Sequence, residues 1–442
     1  MPRQPDGPRP KCCSLTSLAF PLAVLSGVLL ALSFPRFGHP AFAWISLVPL
    51  MIALSGWRGR AERLPGQPAL RAFQLGLTTG ALYFVGTIYW TGAVVSTFGG
   101  LAWPVALLAV VLLAAYLALF PAVTALVTAR VITRVGAPGL LVMPAAWVAT
   151  EFSRGYLFGG FPWVPLGNTQ VTVLPVAQLA SVVGVYGLSA LVASVNAALA
   201  YALLSEGRTK MVTAVATGLL LTGIGSWGAL RVAEGSLTRD GTPLQVGLIQ
   251  GNIAQEEKWN PDEARRIFTT YIAMTRNAVQ RGAEFVIWPE SSTPFMFEED
   301  EVGGGTVRAL ARELGVPMLL GSVQVDRAGD ALRLFNAAFM VSPEGETAAV
   351  YRKIHLVPFG EYVPLKRWLF FISPLVEQLA DFAPGTSVDM LPVGSSFVST
   401  AICYEVVYPA LARQAVEGGS QLLTTITNDG WYGQSSAPYQ HF

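Results

Sequence analysis

Charged side chains are scarce in this sequence. They make up 13% of the 442 residues, against about a quarter in an ordinary soluble protein, whereas hydrophobic residues make up 52%. So apolar a composition excludes an intrinsically disordered chain, which has few large apolar residues. With this composition and a net charge of +1 for the whole chain, the sequence does not predict a nucleic-acid partner.

The few charges are unevenly placed. Residues 1–230 hold 13 Lys and Arg against 4 Asp and Glu, a net charge of +9, and the remaining residues hold 16 against 24, a net charge of −8. Three long runs have no charged side chain at all: 72–129, 155–205 and 211–230. Because charged groups are costly in lipid, we predict an α-helical membrane domain over 1–235 and a water-soluble domain over 243–442.

The first domain is long enough for several transmembrane helices. A bilayer core of about 30 Å is crossed by roughly 20 apolar residues of helix. This length predicts seven spans, at about 14–34, 38–55, 70–92, 103–130, 138–153, 173–204 and 211–230. The fifth span is the weakest, since it is short and carries Glu151, which is expected to pair with Arg154. The aromatic, Gly- and Pro-rich residues 154–172 are predicted to form an interfacial or re-entrant loop.

Lys and Arg in the short loops predict the orientation of these spans. With the N-terminus in the cytoplasm, eleven of the basic residues fall on cytoplasmic loops. Only Arg36, Arg154 and Arg231 fall on the opposite side. An odd number of spans then places everything after residue 231 outside the cytoplasm.

Cysteine is also rare, with three residues in the chain. Cys12 and Cys13 precede the first predicted span. Cys403 is alone in the second domain, so it has no disulfide partner there, and an unpaired thiol outside the cytoplasm is a candidate nucleophile. An isolated cysteine is more often a small buried hydrophobic residue, so this interpretation depends on the neighbours of Cys403.

The second domain has the pattern of an α/β fold. Short β-branched runs predict strands at 244–252, 284–290, 317–325, 336–343, 347–353, 396–405 and 421–429. Amphipathic segments predict helices at 261–282, 306–315 and 408–419. Such alternation indicates a layered α/β domain, in which functional groups usually lie at the C-terminal ends of strands. The apolar segment 366–382 is predicted to be a lid or to dip into the membrane surface, and Gly303–Gly305 a flexible turn.

Three side chains at predicted strand ends form a candidate catalytic group: Glu290, Lys353 and Cys403. A thiol needs a base to become a nucleophile, and a strand-end carboxylate can be that base. A tetrahedral intermediate at an acyl carbon needs a positive charge or N–H donors, and an ammonium supplies the charge. Each residue type is common, so these three alone are weak evidence. His355, two residues from Lys353, is an alternative partner for Cys403.

Longer motifs are more specific. GNIAQEEKW, WPES, YRKIHLVPFGEYVP, CYE and NDGWYG, in this order behind a multi-span half, resemble the apolipoprotein N-acyltransferase family, the membrane-bound branch of the nitrilase superfamily. The resemblance implies an αββα sandwich in which Glu290, Lys353 and Cys403 match the Glu–Lys–Cys triad. It implies supporting or substrate-binding roles for Glu361, Tyr404, Glu405, Trp259 and Asn336.

The resemblance also implies a reaction. The family transfers a fatty acyl group from a phospholipid, here expected to be phosphatidylethanolamine, to the α-amino group of the diacylglyceryl-cysteine of a bacterial apolipoprotein. A thioester on Cys403 would be the intermediate of a ping-pong mechanism. No metal or other cofactor is implied, and the sequence contains no HExxH, GxSxG or P-loop motif. The expected location is the bacterial inner membrane, with the catalytic domain of a monomer on the periplasmic side.

Two other classes of function remain open. A membrane-tethered carbon–nitrogen hydrolase (an amidase) could use the same three residues, with water as the second nucleophile. A transporter is disfavoured because the long charge-free runs carry no ionisable residue. The sequence ends soon after NDGWYG, whereas the family continues to a last transmembrane helix, so the resemblance implies that the α/β domain is incomplete.

Overall fold

The computed structural model describes residues 18–56, 66–97, 102–235, 239–258, 260–327, 332–358, 360–362 and 382–441. The chain divides into two compact units. The first contains residues 1–91 and 107–240, and the second contains residues 92–106 and 241–442. Cys12, Cys13, Trp259 and all of the segment 366–382 except Phe382 lie outside the described residues.

The described residues up to Glu234 are mainly helical. The α-helices are α1 (Ala19–Ala31), α2 (Val48–Ser55), α3 (Ala69–Ile88), α4 (Trp90–Thr97), α5 (Trp103–Val135), α6 (Met143–Arg154), α7 (Leu174–Ala177), α8 (Ala180–Leu204) and α9 (Gly207–Glu234). Within the described residues, α5, α8 and α9 are long and apolar enough to cross a membrane, and Ala19–Ala31 and Pro40–Ser55 are shorter apolar helical segments. The predicted total of seven spans remains a prediction.

Small residues and buried amides hold these helices together. A Cβ atom at Gly80 of α3 would lie 2.8 Å from the Cα of Ala118 in α5, so the two helices approach closely where glycine faces alanine, a common feature of helices packed in membranes. Asn196 of α8 donates to the carbonyl of Ala43 (2.8 Å) and accepts from the amide of Leu47 (2.8 Å). These bonds satisfy backbone groups that would otherwise be buried without a partner.

The second unit contains two β-sheets with helices, which confirms the predicted α/β class. Its strands are β1 (Val246–Leu248), β2 (Phe285–Ile287), β3 (Met318–Asp326), β4 (Arg333–Val341), β5 (Thr347–Arg352), β6 (Leu391–Val393), β7 (Ser396–Ile402) and β8 (Leu422–Ile426). The five-stranded sheet has the order β1-β2-β3-β4-β5, parallel from β1 to β3 and antiparallel from β3 to β5. The three-stranded sheet has the order β6-β7-β8, with β7 and β8 parallel. The sequence did not predict β6.

The second unit also contains α-helices. They are α10 (Gln255–Lys258), α11 (Pro261–Gln280), α12 (Glu301–Leu314), α13 (Pro409–Glu417) and α14 (Ala437–His441). In the core, Ile267 of α11 and Leu310 of α12 pack with Phe339 of β4 and with Trp288 and Phe297, which lie between β2 and α12. The sheet and its helices thereby form a rigid support for the residues that follow the strands.

The prediction of a flexible turn at Gly303–Gly305 was wrong. Asp300 accepts a hydrogen bond from the amide of Gly303 (2.7 Å) and so caps α12, which contains all three glycines. A Cβ atom at Gly303 would lie 2.5 Å from the ring of Phe295. Glycine is therefore required here for close packing against an aromatic ring, and not for freedom of the backbone.

Candidate active site

The three predicted catalytic residues all follow strands and are all buried. Glu290 lies just beyond β2, and Lys353 and Cys403 directly follow β5 and β7. Their exposed fractions are 5%, 1% and 4%. Buried ionisable groups are rare unless they are paired or functional, so this cluster is the candidate active site.

A tight turn holds Glu290 against the neighbouring strand. Ser291, the next residue, has a left-handed backbone with φ 48°. A Cβ atom at Gly321 of β3 would lie 2.6 Å from the Cα of Glu290, and the amide of Ser292 donates to the Gly321 carbonyl (2.9 Å). Since only glycine leaves room for this approach, Gly321 fixes the position of the carboxylate.

Lys353 lies between two carboxylates. Its Nζ is 2.9 Å from Oε1 of Glu361 and 3.5 Å from Oε1 of Glu290. Asn336 of β4 joins the same two oxygens, because its Nδ2 donates to each at 2.7 Å. The four side chains form one network in which each carboxylate has partners on both oxygens, since the amides of Asn428 and Val357 donate to the other oxygens of Glu290 (3.0 Å) and Glu361 (2.8 Å).

This network keeps the lysine protonated. Burial by itself would lower the pKa of Lys353, but the negative charges of Glu361 and Glu290 outweigh burial and raise the pKa well above its usual value. The site therefore presents a fixed ammonium at neutral pH. Such a group can stabilise negative charge that develops on a bound substrate.

Cys403 has a strained backbone and a protonated thiol. Its φ is 53°, and it begins a short 3₁₀ helix (Cys403–Val407). Burial and the charge of Glu290 raise the pKa of the thiol to about 12, although Lys353 and a hydrogen bond from Thr427 act in the opposite direction. Its Sγ is 3.9 Å from the hydroxyl of Tyr432. Left-handed non-glycine residues often lie at functional sites, and a thiol held neutral needs a nearby base to react.

Glu405 connects the lysine loop to the cysteine strand. Its carboxylate accepts hydrogen bonds from the hydroxyl of Tyr351 (2.9 Å) and from the amides of Ile354 (2.7 Å), His355 (3.1 Å) and Ile402 (2.8 Å). The buried carboxylate of Glu405 thus holds the backbone that follows Lys353 and the backbone that precedes Cys403. The contacts of Glu405 are with the protein scaffold, which indicates a positioning role.

The two aromatic neighbours of the site pack on each other. The ring of Tyr404 meets the ring of Tyr408 edge-on, with 5.4 Å between the centroids. The ring of His355 stacks on the ring of Tyr408, with 3.9 Å between the centroids. Burial lowers the pKa of His355, so this histidine is a neutral stacking partner at neutral pH. These contacts favour Glu290, and not His355, as the base beside Cys403.

Sequence reasoning missed two contacts of Glu290. Lys258 donates from Nζ to the backbone carbonyl of Glu290 (3.0 Å), and burial lowers the pKa of this lysine to about 8 although the Glu290 charge opposes the shift. Asn428 donates through its backbone amide, as described above. Both residues lie inside motifs already noted, GNIAQEEKW and NDGWYG, but residue type alone did not indicate their targets. Trp259, which follows Lys258, lies outside the described residues.

Comparison with known proteins identifies both parts of the chain. Residues 26–198 match the apolipoprotein N-acyltransferase N-terminal domain, and residues 245–442 match the carbon–nitrogen hydrolase family. The apolipoprotein N-acyltransferase of Geobacter metallireducens is 40% identical over 428 residues, 95% of this chain and 79% of that protein. The enzyme of the same name from Brucella suis is 33% identical over 439 residues, 95% of this chain and 80% of that protein.

Solved structures similar to part of this chain include an amidase and a carbon–nitrogen hydrolase. One from Nesterenkonia sp. has 20% sequence identity and a TM-score of 0.33, and the match covers 45% of this chain and 72% of that one. A carbon–nitrogen hydrolase from Helicobacter pylori has 17% identity and a TM-score of 0.31 over 42% of this chain and 59% of that one.

The match to the N-terminal domain decides between the two enzymatic hypotheses. A carbon–nitrogen hydrolase domain alone would fit an amidase as well as an acyltransferase. The relatives named above, however, match the helical half and the α/β half together, over 95% of the chain. The protein is therefore a membrane protein with a nitrilase-like α/β domain, and it belongs to the apolipoprotein N-acyltransferase family.

Proposed function

We propose that this protein transfers a fatty acyl group from a phospholipid to the N-terminal α-amino group of the diacylglyceryl-cysteine of an apolipoprotein. Membership of the family supports the overall reaction. The observation that carries the chemistry is the burial of the Cys403 thiol beside Glu290 and Lys353, whose charges both act on it. Phosphatidylethanolamine is the proposed donor.

The proposed location is the inner membrane of a bacterium. Seven spans over residues 1–235 and the eleven-to-three distribution of basic residues would place the α/β domain, residues 243–442, on the periplasmic side. The protein is proposed to act as a monomer. Both proposed substrates are lipids that a bilayer retains. A catalytic domain that is tethered to that bilayer can therefore meet them without extracting either into water.

The first half-reaction would form a thioester on Cys403. Glu290 accepts the thiol proton while sulfur attacks the carbonyl carbon of the sn-1 ester, because the thiol is protonated at rest. The ammonium of Lys353 and the backbone N–H of Tyr404 stabilise the oxyanion. The carbon–oxygen bond then breaks, Glu290 returns the proton to the alkoxide, and a lysophospholipid leaves.

The surrounding residues would keep these groups in place. Asn336 fixes the separation of Glu290 and Glu361, and Glu361 holds Lys353 by the shorter of its two ion pairs. Glu405 positions the backbone on both sides of the site. Tyr404 and Trp259 are proposed to contact substrate, as their family positions imply.

The second half-reaction would deliver the acyl group to nitrogen. The neutral α-amino group of the lipoprotein attacks the thioester carbon, and Glu290 accepts a proton from its nitrogen as the carbon–nitrogen bond forms. The carbon–sulfur bond then breaks, and the Cys403 thiolate takes that proton from Glu290. The products are an amide and the free enzyme. If water attacked instead, the product would be a fatty acid, which is the outcome expected of a membrane-tethered hydrolase.

Product analysis separates these two outcomes. The purified protein is reconstituted in phosphatidylethanolamine vesicles with a synthetic diacylated lipopeptide, beside a Cys403→Ala control, and the products are quantified by mass spectrometry. We expect N-acylated lipopeptide and lysophospholipid in equal amounts, with neither formed by the control. Release of free fatty acid without amide would overturn the acyltransferase proposal in favour of the hydrolase.

A further inference from the structure

Lys258 is a buried amine that reaches the candidate active site from α10. It is 7% exposed, and its Nζ donates to the backbone carbonyl of Glu290 (3.0 Å). The side-chain amide of Asn428 faces Nζ at 3.0 Å and the indole N–H of Trp431 at 3.2 Å. Because both neighbours are donors, the amide presents its oxygen to them. Lys258 therefore donates to two oxygens, which belong to segments far apart in the sequence.

These two segments are the ones that hold Glu290. The Glu290 carbonyl belongs to the peptide that precedes Ser291, whose φ of 48° is left-handed, and such a backbone persists only where its surroundings fix it. The backbone N–H of Asn428 donates to Oε2 of Glu290 (3.0 Å). Lys258 thus holds Glu290 in two ways: directly at its backbone, and through Asn428 at its carboxylate.

Burial of this amine is costly. Its two hydrogen bonds go to uncharged oxygens, which offset the loss of water less than a carboxylate would. Burial accordingly lowers the pKa of Lys258 to about 8, although the charge of Glu290 opposes the shift. A methionine would fill similar space without this cost, but it could not donate to either oxygen. The amine therefore contributes hydrogen bonds to the site as well as volume.

We propose that Lys258 is a positioning residue for Glu290: its ammonium holds the backbone and, through Asn428, the carboxylate in place for proton transfer. The inference rests on the proposed function, in which Glu290 accepts a proton in each half-reaction. Lys258 would act through Glu290, whereas Lys353 contacts the carboxylate itself and stabilises the oxyanion. Loss of Lys258 should therefore slow both half-reactions.

The charge of Lys258 gives this role a pH dependence. An ammonium forms charge-assisted hydrogen bonds, whereas a neutral amine has one donor fewer and forms weaker bonds. The charge that acts on Lys258 is that of Glu290, from the turn after β2, and the side chains of Asn428 and Trp431, from the segment after β8, are neutral. With a pKa of about 8, Lys258 is mainly charged at pH 7 and mainly neutral at pH 9. Its contribution should therefore be present at the lower pH and be lost as the pH rises.

Single-turnover rates test this role in the intact protein, reconstituted in phosphatidylethanolamine vesicles. Thioester formation on Cys403 is followed by mass spectrometry, and aminolysis is followed after a diacylated lipopeptide is added. In Lys258→Met, we expect both rates to fall by about tenfold at pH 7, since charge-assisted hydrogen bonds that hold the base are lost. The half-saturating donor concentration should hardly change, because these contacts of Lys258 are with the protein. Lys210→Met, which changes an exposed lysine of α9, is the matched control.

The pH profile separates positioning from a purely structural role. If only the ammonium positions Glu290, the advantage of the wild-type protein over Lys258→Met should shrink from about tenfold at pH 7 to about twofold at pH 9. Lys258→Arg, which keeps its charge over this range, should have an advantage over Lys258→Met that does not shrink. A loss of folded protein would instead lower the rate of Lys258→Met by the same factor at every pH.

A second measurement needs no substrate. In Lys258→Met, the backbone amides of residues 291–293 should exchange hydrogen faster than in Lys210→Met, because the turn that contains them loses a hydrogen bond. Unchanged exchange would overturn the positioning role.

The outcomes separate this inference from the function on which it rests. A wild-type advantage that is the same at pH 7 and pH 9, or a Lys258→Arg advantage that shrinks as the wild-type one does, would overturn the role of the ammonium. Slowing of aminolysis alone would also overturn it, because Lys258 would then act on the incoming amine. If the wild-type protein forms no thioester while exchange rises in Lys258→Met, the proposed function fails and the contact of Lys258 with the turn stands.

Discussion

Both units bury charged side chains, but they satisfy them in different ways. In the α/β unit, Glu290, Lys353 and Glu361 contact one another, and Asn336 joins the two carboxylates. In the helical unit, the carboxylate of Glu151 accepts from the amide of Leu166 (2.7 Å), and the guanidinium of Arg154 donates to the carbonyl of Trp163 (2.8 Å), so both residues hold the loop that follows α6. Charges that contact one another can share and transfer protons, whereas charges fixed by backbone groups are suited to holding a loop.

The largest expected effect comes from removing the cation of the α/β network. In Lys353→Met, Glu290 and Glu361 would face each other without a positive charge, and the proposed oxyanion would lose its ammonium. We expect thioester formation to slow by about a thousandfold, measured by single-turnover mass spectrometry. Lys210→Met, an exposed lysine at the start of α9, is the control. A folded Lys353→Met protein that reacts at the wild-type rate would contradict the proposed role of the Lys353 ammonium in the network.

The second prediction concerns the pH at which Cys403 reacts without substrate. Because burial and Glu290 raise the thiol pKa from an ordinary 9.0 to about 12, the thiolate at pH 8 should be about a thousandfold rarer than in an ordinary cysteine. Alkylation by a small neutral reagent, followed by peptide mapping, should keep rising with pH beyond 9. A rate that levels off near pH 9 or below would show that the thiol is not held protonated, and the role of Glu290 would need revision.

A smaller effect is expected from the positioning carboxylate. The Glu405 carboxylate accepts four hydrogen bonds. In Glu405→Gln, one carboxylate oxygen becomes an NH₂ group, which cannot accept a hydrogen bond from the backbone N–H groups that face it. Loss of two of these bonds should destabilise the unit by about 2–3 kcal/mol, measured as a lower midpoint of denaturant unfolding. The donor KM should change less than kcat, because Glu405 orients Lys353 and Cys403. Unchanged stability would mean that the four contacts are not all formed.

The smallest expected effect comes from the buried glutamate of the helical unit. Glu151→Ala removes the acceptor from the buried amide of Leu166, which should cost about 1–3 kcal/mol. Thermal unfolding in detergent should show a lower midpoint, with Glu234→Ala as the exposed control. If the midpoint does not fall, Glu151 does not hold the loop, and the contrast between the two kinds of buried charge fails.

Much of the α/β unit was predictable because its signals are local. Short β-branched runs predicted β3 and β5 to within one residue of their observed bounds, and the predicted strand ends located Glu290 and Lys353 beyond β2 and β5. The predicted strands 396–405 and 421–429 were too long, since β7 ends at Ile402 and β8 ends at Ile426. The left-handed backbone of Cys403, which no residue preference indicates, starts a new helix there.

The contacts that connect distant segments were not predictable. Asn336 reaches both Glu290 and Glu361 only because the sheet brings three separate segments together. The donation from Lys258 to the Glu290 carbonyl depends in the same way on tertiary structure. The glycines of α12 were misassigned because sequence alone cannot distinguish glycine chosen for a turn from glycine chosen to pack against Phe295.

The most direct test of the account is the acyl-enzyme itself. The reconstituted protein is incubated with phosphatidylethanolamine alone and examined by intact-mass spectrometry and peptide mapping, beside Cys403→Ala. We predict a mass gain of one fatty acyl group, located on the Cys403 peptide, released by hydroxylamine and absent from the variant. An unmodified Cys403, or an acyl group that the Cys403→Ala protein carries equally, would contradict the claim that this buried thiol is the nucleophile.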